Sequence, residues 1–236
     1  MSPSENSQPK PGNRGSRHLS QAEIVDTIRQ AILANNLAPG QRLIEAELCE
    51  QFNSSRGTIR AALVELVHEG LVERVANRGA RVRIVGLEEA LQVADVRLAV
   101  ETLCAMRAAE RISDAEVETL RGIARRMEDY ATQNDVVGFA EMTHLAFETY
   151  VDIAQQDVAK EVLARLRDRM AGHRLRLTYR QDRPRTSLPY WLDIIDAICR
   201  RDPVAVRDAL HRHVENIKQT MISLSADERN PSPMAL

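Results

Sequence analysis

SSRGTIRAALVELVHEGL, at residues 54–71, is the stretch that decides the fold of the first part of the chain. Ser55 is a favourable N-cap residue, and apolar residues follow it at the three- and four-residue spacing of one helical face. Arg56 and Arg60 fall in the first two turns, where side chains project past the helix N-terminus. We therefore predict a helix that buries one face and presents cations at its tip, a geometry that suits a DNA groove. The apolar positions are Ile59, Leu63, Leu66 and Val67.

The residues before this helix favour a DNA-binding arrangement over the alternative of a plain solvated amphipathic helix. Residues 45–52 have the pattern of a short helix, and a polar turn at residues 53–54 follows, as in a helix-turn-helix unit. A capping box at residues 20–23 begins an earlier helix that ends near Asn35. The sequence thus predicts three helices in succession.

The residues after the helix predict a two-stranded β-hairpin, or wing. Residues 71–75 and 81–85 are rich in β-branched side chains and enclose a turn. Gly79 in this turn allows a positive φ and a close approach of the backbone to DNA, and Arg78 places a cation beside it. Together with the helices, the hairpin predicts a winged helix-turn-helix domain at residues 19–85.

The overall composition indicates a mainly helical protein with an aliphatic interior. The 236 residues are 44% hydrophobic, which is enough for one large or two modest domains, and only 3% are aromatic. No run approaches about 20 consecutive apolar residues, and the polar start lacks a signal-peptide core, so we expect a cytoplasmic protein without a membrane span. The three cysteines lie far apart without a C-x-x-C pair, which argues against a disulfide framework and a thiolate zinc knuckle.

Beyond the hairpin the strand pattern ends, and helical periodicity alone continues. The number and length of the segments predict an all-α, six-helix antiparallel bundle at residues 86–225. Pro184 and Pro189 are placed in a loop before the fifth of these helices. Residues 1–18 and 226–236 have too few large apolar side chains to fold and are predicted to be disordered tails. The six predicted helices cover about residues 87–111, 114–131, 135–154, 158–180, 190–200 and 203–224.

Several motifs between Ile24 and Val85 occur together in a known order. They are LAPGQRL, ELCEQF, SSRGTIRAALVEL, EGLVER and NRGARV, and they resemble the winged-helix domain of the GntR family of bacterial transcription regulators. The resemblance implies a homodimer that binds a double-stranded DNA operator. The implied DNA contacts are Arg56 and Arg60 at base edges, Ser55 and Thr58 at the DNA backbone, and Arg78 and Gly79 at the minor groove.

The helical part resembles the effector-binding domain of FadR-like GntR proteins, called FCD, over roughly residues 87–222. The matching stretches are RLAVETLCAMRAAERI, FAEMTHLAFETYVDIAQQDVAKEVLARL and DIIDAICRRDPVAVRDALHRHVENI. The resemblance implies a small-molecule effector and, as in many relatives, a divalent metal such as zinc. The positions of the metal ligands hold His144 with Glu148, then Trp191, then His213. Because tryptophan cannot bind metal, a three-residue site of His144, Glu148 and His213 competes with a metal-free polar pocket in which Trp191 stacks on the effector.

Two further residues are candidates for the effector pocket. Arg97 falls where relatives place an inward arginine on the first bundle helix, and a guanidinium inside a bundle needs an anionic partner. That partner is either an effector carboxylate or Glu101, four residues on. His173 continues an apolar stripe through Leu166 and Met170, and it either faces the same cavity or packs in the core. The candidate effector-binding residues are Arg97, His144, Glu148, His173, Trp191 and His213.

Three functions remain open from the sequence, and one is favoured. The favoured function is a dimeric, sequence-specific DNA-binding repressor whose operator binding is modulated by a small organic acid, a carboxylate, in the helical domain. The second is a metal-dependent enzyme using His144, Glu148 and His213, but no nucleophile elbow or phosphate loop accompanies them, so we expect no enzyme. The third is an architectural DNA-binding protein without an effector.

Overall fold

The computed structural model describes residues 19–75, 79–180 and 182–229. Arg78 and the tail predicted at residues 1–18 lie outside the described residues. The elements, in chain order, are α1 (Gln21–Leu33), β1 (Arg42–Leu43), α2 (Glu45–Gln51), α3 (Arg56–His68), β2 (Val72–Val75), β3 (Gly79–Val82), α4 (Leu87–Arg111), α5 (Asp114–Gln133), α6 (Val136–Ala154), α7 (Asp157–Arg169), α8 (Ala171–Thr178), α9 (Arg183–Cys199) and α10 (Pro203–Arg229).

The first three helices form the helix-turn-helix unit that the sequence predicts. α1 begins with a capping box, in which Ser20 Oγ accepts from the Glu23 backbone N–H and the Glu23 carboxylate accepts from the Ser20 backbone N–H. Both α1 and α2 pack on α3. Their apolar faces meet in one core, whose buried members include Ile24, Ile59 and Leu66.

The wing is a three-stranded antiparallel sheet in the order β1-β3-β2. β2 and β3 pair as the predicted hairpin, with Val72 opposite Val82. β1, which the sequence pattern does not predict, pairs with the other edge of β3 and places Leu43 opposite Ala80. Two residues are too few to show the strand periodicity, and pairing with β3 is what forms this strand and buries Leu43.

The residues beyond the wing form an all-α bundle built around α4. This 25-residue helix packs against α10, α6, α7 and α9, and α5 packs against α6 and α9. Small side chains on α4, including Ala105 and Ala108, allow the neighbouring helices to come close. Leu120, Ile194 and Leu210 fill the core between them. The predicted fold class, a winged helix-turn-helix followed by a helical bundle, is confirmed.

The bundle contains seven helices within the described residues, where the sequence predicts six. The segment predicted as one helix at residues 158–180 is divided at Met170, and α8 begins at Ala171. The Met170 N–H donates to the carbonyls of both Leu166 and Arg167, a tightening of the last turn that ends α7. Periodicity does not reveal this break because apolar residues continue on either side of it.

The loop predicted around Pro184 and Pro189 is helical, because both prolines belong to α9. Pro184 lies in the first turn, where the missing N–H costs no helical hydrogen bond. Pro189 lies inside the helix and removes one such bond. Burial of Ile194 and Ile198 on the same helix offsets that loss, so the prolines do not interrupt it.

The last helix is also longer than predicted. α10 continues to Arg229 instead of ending near residue 224, so the tail predicted at residues 226–236 begins as helix, and residues 230–236 lie outside the described residues. Within the described ranges, no helix combines the length and the apolar character needed to span a membrane.

The winged domain and the bundle contact each other beside α7 and α8. His173 Nε2 donates to the Val85 carbonyl oxygen at 2.7 Å. Glu89, at the start of α4, binds Arg83 at 2.8 Å and Arg169, at the end of α7, at 2.5 Å. These bonds connect the end of the wing to the helices of the bundle.

Candidate DNA interface and effector cavity

The N-terminus of α3 carries the polar side chains predicted to meet DNA. Ser55 has an extended backbone, and its hydroxyl accepts from the Thr58 backbone N–H at 3.2 Å, which caps the helix. The Ser55 and Thr58 hydroxyls lie 2.9 Å apart. Arg56 is exposed and forms no ion pair with any residue that the structure describes. The tip of α3 thus presents hydroxyls and a guanidinium side by side on an exposed surface.

Arg60, one turn further along α3, forms an exposed ion pair. Its Nε donates to Glu45 Oε2, at the start of α2, at 2.8 Å, and 62% of the Arg60 side chain is exposed. Exposed pairs of this kind contribute about 1 kcal/mol or less. A phosphate or a guanine base can therefore displace Glu45 at little cost.

The wing carries one of the predicted minor-groove residues within the described chain. Gly79 begins β3 with a φ of +83°, a conformation that L side chains rarely adopt. Arg78 lies outside the described residues. Next to the turn, Arg81 donates across the hairpin to Glu73 at 2.5 Å. The structure therefore groups Ser55, Arg56, Thr58 and Arg60 at one helix end and places Gly79 on the wing.

A half-open cavity of about 480 Å³ is lined by α4, α6, α7, α8, α9 and α10 of the bundle and by Leu33 of α1. Apolar side chains such as Phe139 and Met221 form much of its wall, as is usual for small-molecule sites. Of the predicted effector residues, the structure places four at this cavity: Arg97, His144, Trp191 and His213. Glu148 lies behind its wall and is connected to it through Arg167.

His173 does not line this cavity, which corrects the expectation that it continues the stripe of Leu166 and Met170 toward the effector. Because a new helix begins after Met170, the spacing of α7 does not continue in phase through α8. His173 instead lines a second cavity of about 300 Å³ beside the winged domain and donates to Val85 there.

Arg97 has the internal carboxylate partner that the sequence offered as one alternative. Its Nε donates to Glu101 Oε2 at 2.7 Å, and the Tyr150 hydroxyl donates to the other oxygen of the same carboxylate. The Arg97 guanidinium also lies 5.4 Å from the centre of the Phe147 ring. Burial, followed by the charge of Glu101, raises the pKa of Tyr150 well above its usual value. This network fixes Arg97 at the wall of the cavity.

His144 and Glu148 lie together on α6, and both contact the same arginine of the cavity wall. Arg167 Nη1 is 2.9 Å from His144 Nδ1, 3.2 Å from His144 Nε2 and 3.0 Å from Glu148 Oε1. Burial, followed by the charge of Arg167, lowers the pKa of His144. The described residues contain no group of three or more His, Cys, Asp or Glu side chains able to hold a metal ion. The set of His144, Glu148 and His213 therefore does not fit a metal, because His213 does not join the other two and a cation already contacts them.

His213 is buried in the wall of the cavity at 3% exposure. Its ring centre lies 5.0 Å from that of Trp191 and 6.2 Å from that of Tyr190. Its Nδ1 has no hydrogen-bond partner within the described part of the chain. Burial, followed by the charges of Arg183 and of Arg97, lowers the pKa of His213 to about 3. His213 is therefore neutral at physiological pH and keeps one unused ring nitrogen.

Three arginines of the cavity wall were not singled out from the sequence: Arg167, Arg174 and Arg183. The sequence offers one signal, the seven-residue spacing of Arg167 and Arg174, which corresponds to about two helical turns. The arginines of this region occur on several faces, however, so their spacing alone favours a solvated surface as much as a pocket.

Two family descriptions match this chain, one for each part. Residues 20–82 match bacterial regulatory proteins of the gntR family, and residues 92–216 match the FCD domain. The HTH-type transcriptional repressor RspR of Escherichia coli (strain K12) is 25% identical over 199 residues, which cover 84% of this chain and 87% of that protein. The HTH-type transcriptional repressor NagR of Bacillus subtilis (strain 168) is 41% identical over 71 residues, which cover 30% of this chain and 29% of that protein.

Among solved structures, E. coli McbR/YncC superposes with a TM-score of 0.69 at 18% sequence identity. The superposition covers 89% of this chain and 98% of the other. At this identity the likeness shows a shared fold, with the winged domain and the helical bundle in one chain.

Proposed function

This chain belongs to the GntR family of bacterial regulatory proteins and carries an FCD domain, and from that membership we propose that it is a repressor whose operator binding responds to a small organic acid. It is a DNA-binding transcription regulator and not an enzyme. In this proposal residues 19–85 bind the operator, whereas residues 86–225 bind the effector and hold two copies together. The similarity to RspR, which is named a repressor, supports repression over activation. The protein acts in the cytoplasm, where its DNA target lies.

The observation that carries the proposal is the exposed tip of α3. Docking α3 into the major groove brings Arg56 and Arg60 to base edges, where guanidinium groups pair with guanine. Ser55 and Thr58 then lie beside phosphates, which fix the position of the helix. The wing, at residues 78–79, reaches the adjacent minor groove.

Control by an effector rests on α8, which contacts both cavities. Arg174 and Leu177 line the effector cavity, whereas Gly172 and His173 line the second cavity beside the winged domain. A ligand that moves α8 therefore changes its hydrogen bond to Val85 and, with it, the placement of the winged domain. A ligand that binds one placement better than another shifts the population toward it.

A palindromic operator requires two copies of the winged domain. We place the contact between copies in the helical part, where Val96 and Leu103 lie seven residues apart on α4 and remain 53% and 46% exposed. Light scattering on the purified protein tests this assignment. A mass twice that of the 26.5 kDa chain is expected, and a monomer bound to a single half-site would contradict it.

A mobility-shift assay on the DNA upstream of its own gene tests the regulator function. Arg60→Ala removes a proposed base contact, whereas Arg126→Ala removes an exposed arginine of α5 and serves as the matched control. We expect the natural protein and the control to form the same discrete complex, and the Arg60 variant to lose it. Equal shifts by all three proteins, on this DNA and on unrelated DNA alike, would contradict sequence-specific binding.

A further inference from the structure

We propose that the effector carries two anionic groups, carboxylate or phosphate, and is bound by guanidinium groups without a metal ion, with Arg167 in contact with His144 and Glu148. This inference rests on the proposed function, because it names the class of ligand that the regulator senses. The cavity residues that carry it are Arg97, Arg167, Arg174, Arg183 and His213.

Arg167 contacts His144 and Glu148, the two α6 side chains that a metal would need as ligands. Its Nη1 contacts both ring nitrogens of His144, at 2.9 and 3.2 Å, and the Glu148 carboxylate at 3.0 Å. A guanidinium in this position neutralises the carboxylate and repels a second cation such as Zn²⁺. The Nε of Arg167 is buried without a hydrogen-bond partner among the described residues.

Two of the cavity arginines have no carboxylate partner within the described chain. Arg183 donates one hydrogen bond to the Asn216 side-chain oxygen at 3.3 Å, and Arg174 is attracted by Asp168 without forming an ion pair with it. Desolvation, followed by neighbouring arginines, lowers the pKa of both guanidinium groups. Glu141, an exposed acid in the cavity wall, forms no ion pair with either.

The cavity arginines that lack an ion-paired carboxylate indicate how many anionic groups the ligand carries. Arg97 is matched by Glu101, and Arg167 is matched by Glu148. Arg183 and the exposed Arg174 remain without an ion-paired carboxylate in the described chain, so each keeps donors for an anionic group of a ligand, and the exposed Glu141 adds one negative charge to the same wall. A ligand with two anionic groups supplies both arginines with charge-assisted hydrogen bonds.

His213 and Trp191 define the rest of the ligand. The His213 Nδ1 is buried and unpartnered, and a buried ring nitrogen loses free energy unless a ligand supplies its hydrogen bond. The Trp191 ring lies against it, and Phe139 and Met221 extend the apolar wall. The ligand therefore has an apolar body between its anionic groups and a polar atom that reaches His213.

Isothermal titration calorimetry of the full chain in EDTA tests the proposal. The probes are the straight-chain dicarboxylates from succinate to pimelate, the monocarboxylates of the same chain lengths, and 3-phosphonopropionate, in which a phosphonate replaces one carboxylate of succinate. We expect at least one dianionic probe to bind about tenfold or more tightly than its matched monoanion, because each anionic group adds charge-assisted bonds. In a matched buffer without EDTA, added Zn²⁺ should not strengthen this binding. Whether succinate or 3-phosphonopropionate binds more tightly distinguishes the two sources of anionic group.

Arginine variants test whether the probes bind in this cavity. Arg174→Gln and Arg183→Gln should each weaken the bound probe by about tenfold or more, whereas Arg165→Gln, an exposed arginine of α7, should not. Circular dichroism melting of each variant confirms that it is folded. If a cavity variant does not fold, a decrease of probe affinity with rising salt, larger for dianions than for monoanions, provides the second measurement.

Three results would overturn the proposal: probe binding that EDTA abolishes, monoanions that bind as tightly as dianions, or no binding by any dianionic probe. Each of these results can be told apart from a failure of the proposed regulator function. If the chain still binds its operator and a neutral or cationic compound releases it, the ligand class alone is wrong. If the chain does not bind DNA specifically, the proposed function fails whichever probe binds.

Discussion

His213 is a single residue whose ionisation depends on the packing around it. Burial, then the charges of Arg183 and of Arg97, lowers its pKa to about 3. An unfolded histidine has a pKa of about 6.5. Between these values the unfolded chain takes up a proton that the folded chain does not, so the free energy of unfolding decreases as the pH falls below about 6.5 and continues to decrease toward 3.

Replacing this histidine should make the protein less sensitive to acid. Urea unfolding of His213→Phe between pH 7 and 4 should show a shallower loss of stability than the natural chain, by up to about 1.4 kcal/mol per pH unit. His211→Phe, at an exposed position of the same helix, is the control and should follow the natural chain. Parallel curves for His213→Phe and the natural chain would show that the buried imidazole is not held neutral.

Two glycines in helices should respond in opposite directions to replacement by alanine. A Cβ at Gly138 would overlap ring carbons of Tyr130, whereas a Cβ at Gly122 would meet only Arg125 Nη2, at 3.9 Å. We expect Gly138→Ala to lose about 1–3 kcal/mol by overpacking and Gly122→Ala to gain up to about 1 kcal/mol from helix propensity. Thermal unfolding measures both, and a Gly138 variant as stable as the natural chain would mean that the tyrosine ring moves aside freely.

At the scale of elements, caps and apolar spacing predict where most helices lie. The capping boxes at Ser20 and Ser113 begin α1 and α5 where the sequence places them. β1 is missed because two residues have no periodicity, and its formation depends on β3. The start of α9 is missed because Pro184 and Pro189 indicate a loop locally, whereas burial of the helix face decides the outcome.

The cavity illustrates what local patterns leave undetermined. Arg97, His144, Trp191 and His213 are found through family resemblance, which assigns inward positions directly. Family resemblance does not identify Arg167, Arg174 and Arg183, because the break after Met170 and the course of α9 determine which arginines face inward. His173 is misplaced for the same reason.

Two N-cap serines separate helix stability from DNA binding. Ser113 caps α5 and Ser55 caps α3, each by accepting from the backbone N–H three residues on. Replacing either by alanine should cost about 1 kcal/mol in urea unfolding. Only Ser55→Ala should also weaken operator binding in fluorescence anisotropy, because only α3 faces DNA in the proposal. A similar loss of DNA affinity in Ser113→Ala would indicate a general effect of stability.

At the scale of the whole molecule, regulation requires that the cavity and the winged domain be connected. α8 provides the connection, because Arg174 faces the effector cavity and His173, next to it in sequence, bonds to Val85 at 2.7 Å. The ion pairs of Glu89 with Arg83 and Arg169 lie beside this bond. A change at α8 thus has a short path to the wing.

Breaking the hydrogen bond between His173 and Val85 should leave effector binding intact but weaken its effect on DNA binding. Allosteric couplings are typically about 5- to 150-fold. In His173→Phe we expect the affinity for the effector to be retained, while its effect on operator affinity falls below about fivefold. Calorimetry measures the first and fluorescence anisotropy the second, with His211→Phe as control. An unchanged response would mean that the coupling follows another route.

The central claim is that the tip of α3 reads base sequence, and competition binding measures this directly. Anisotropy titrations would compare the operator with a scrambled duplex of equal length for the natural chain, Arg56→Ala, Arg60→Ala and the control Arg126→Ala. Each α3 variant should lose about 1–3 kcal/mol of discrimination between the two duplexes, whereas the control keeps it. An unchanged ratio of affinities in both α3 variants would contradict the claim.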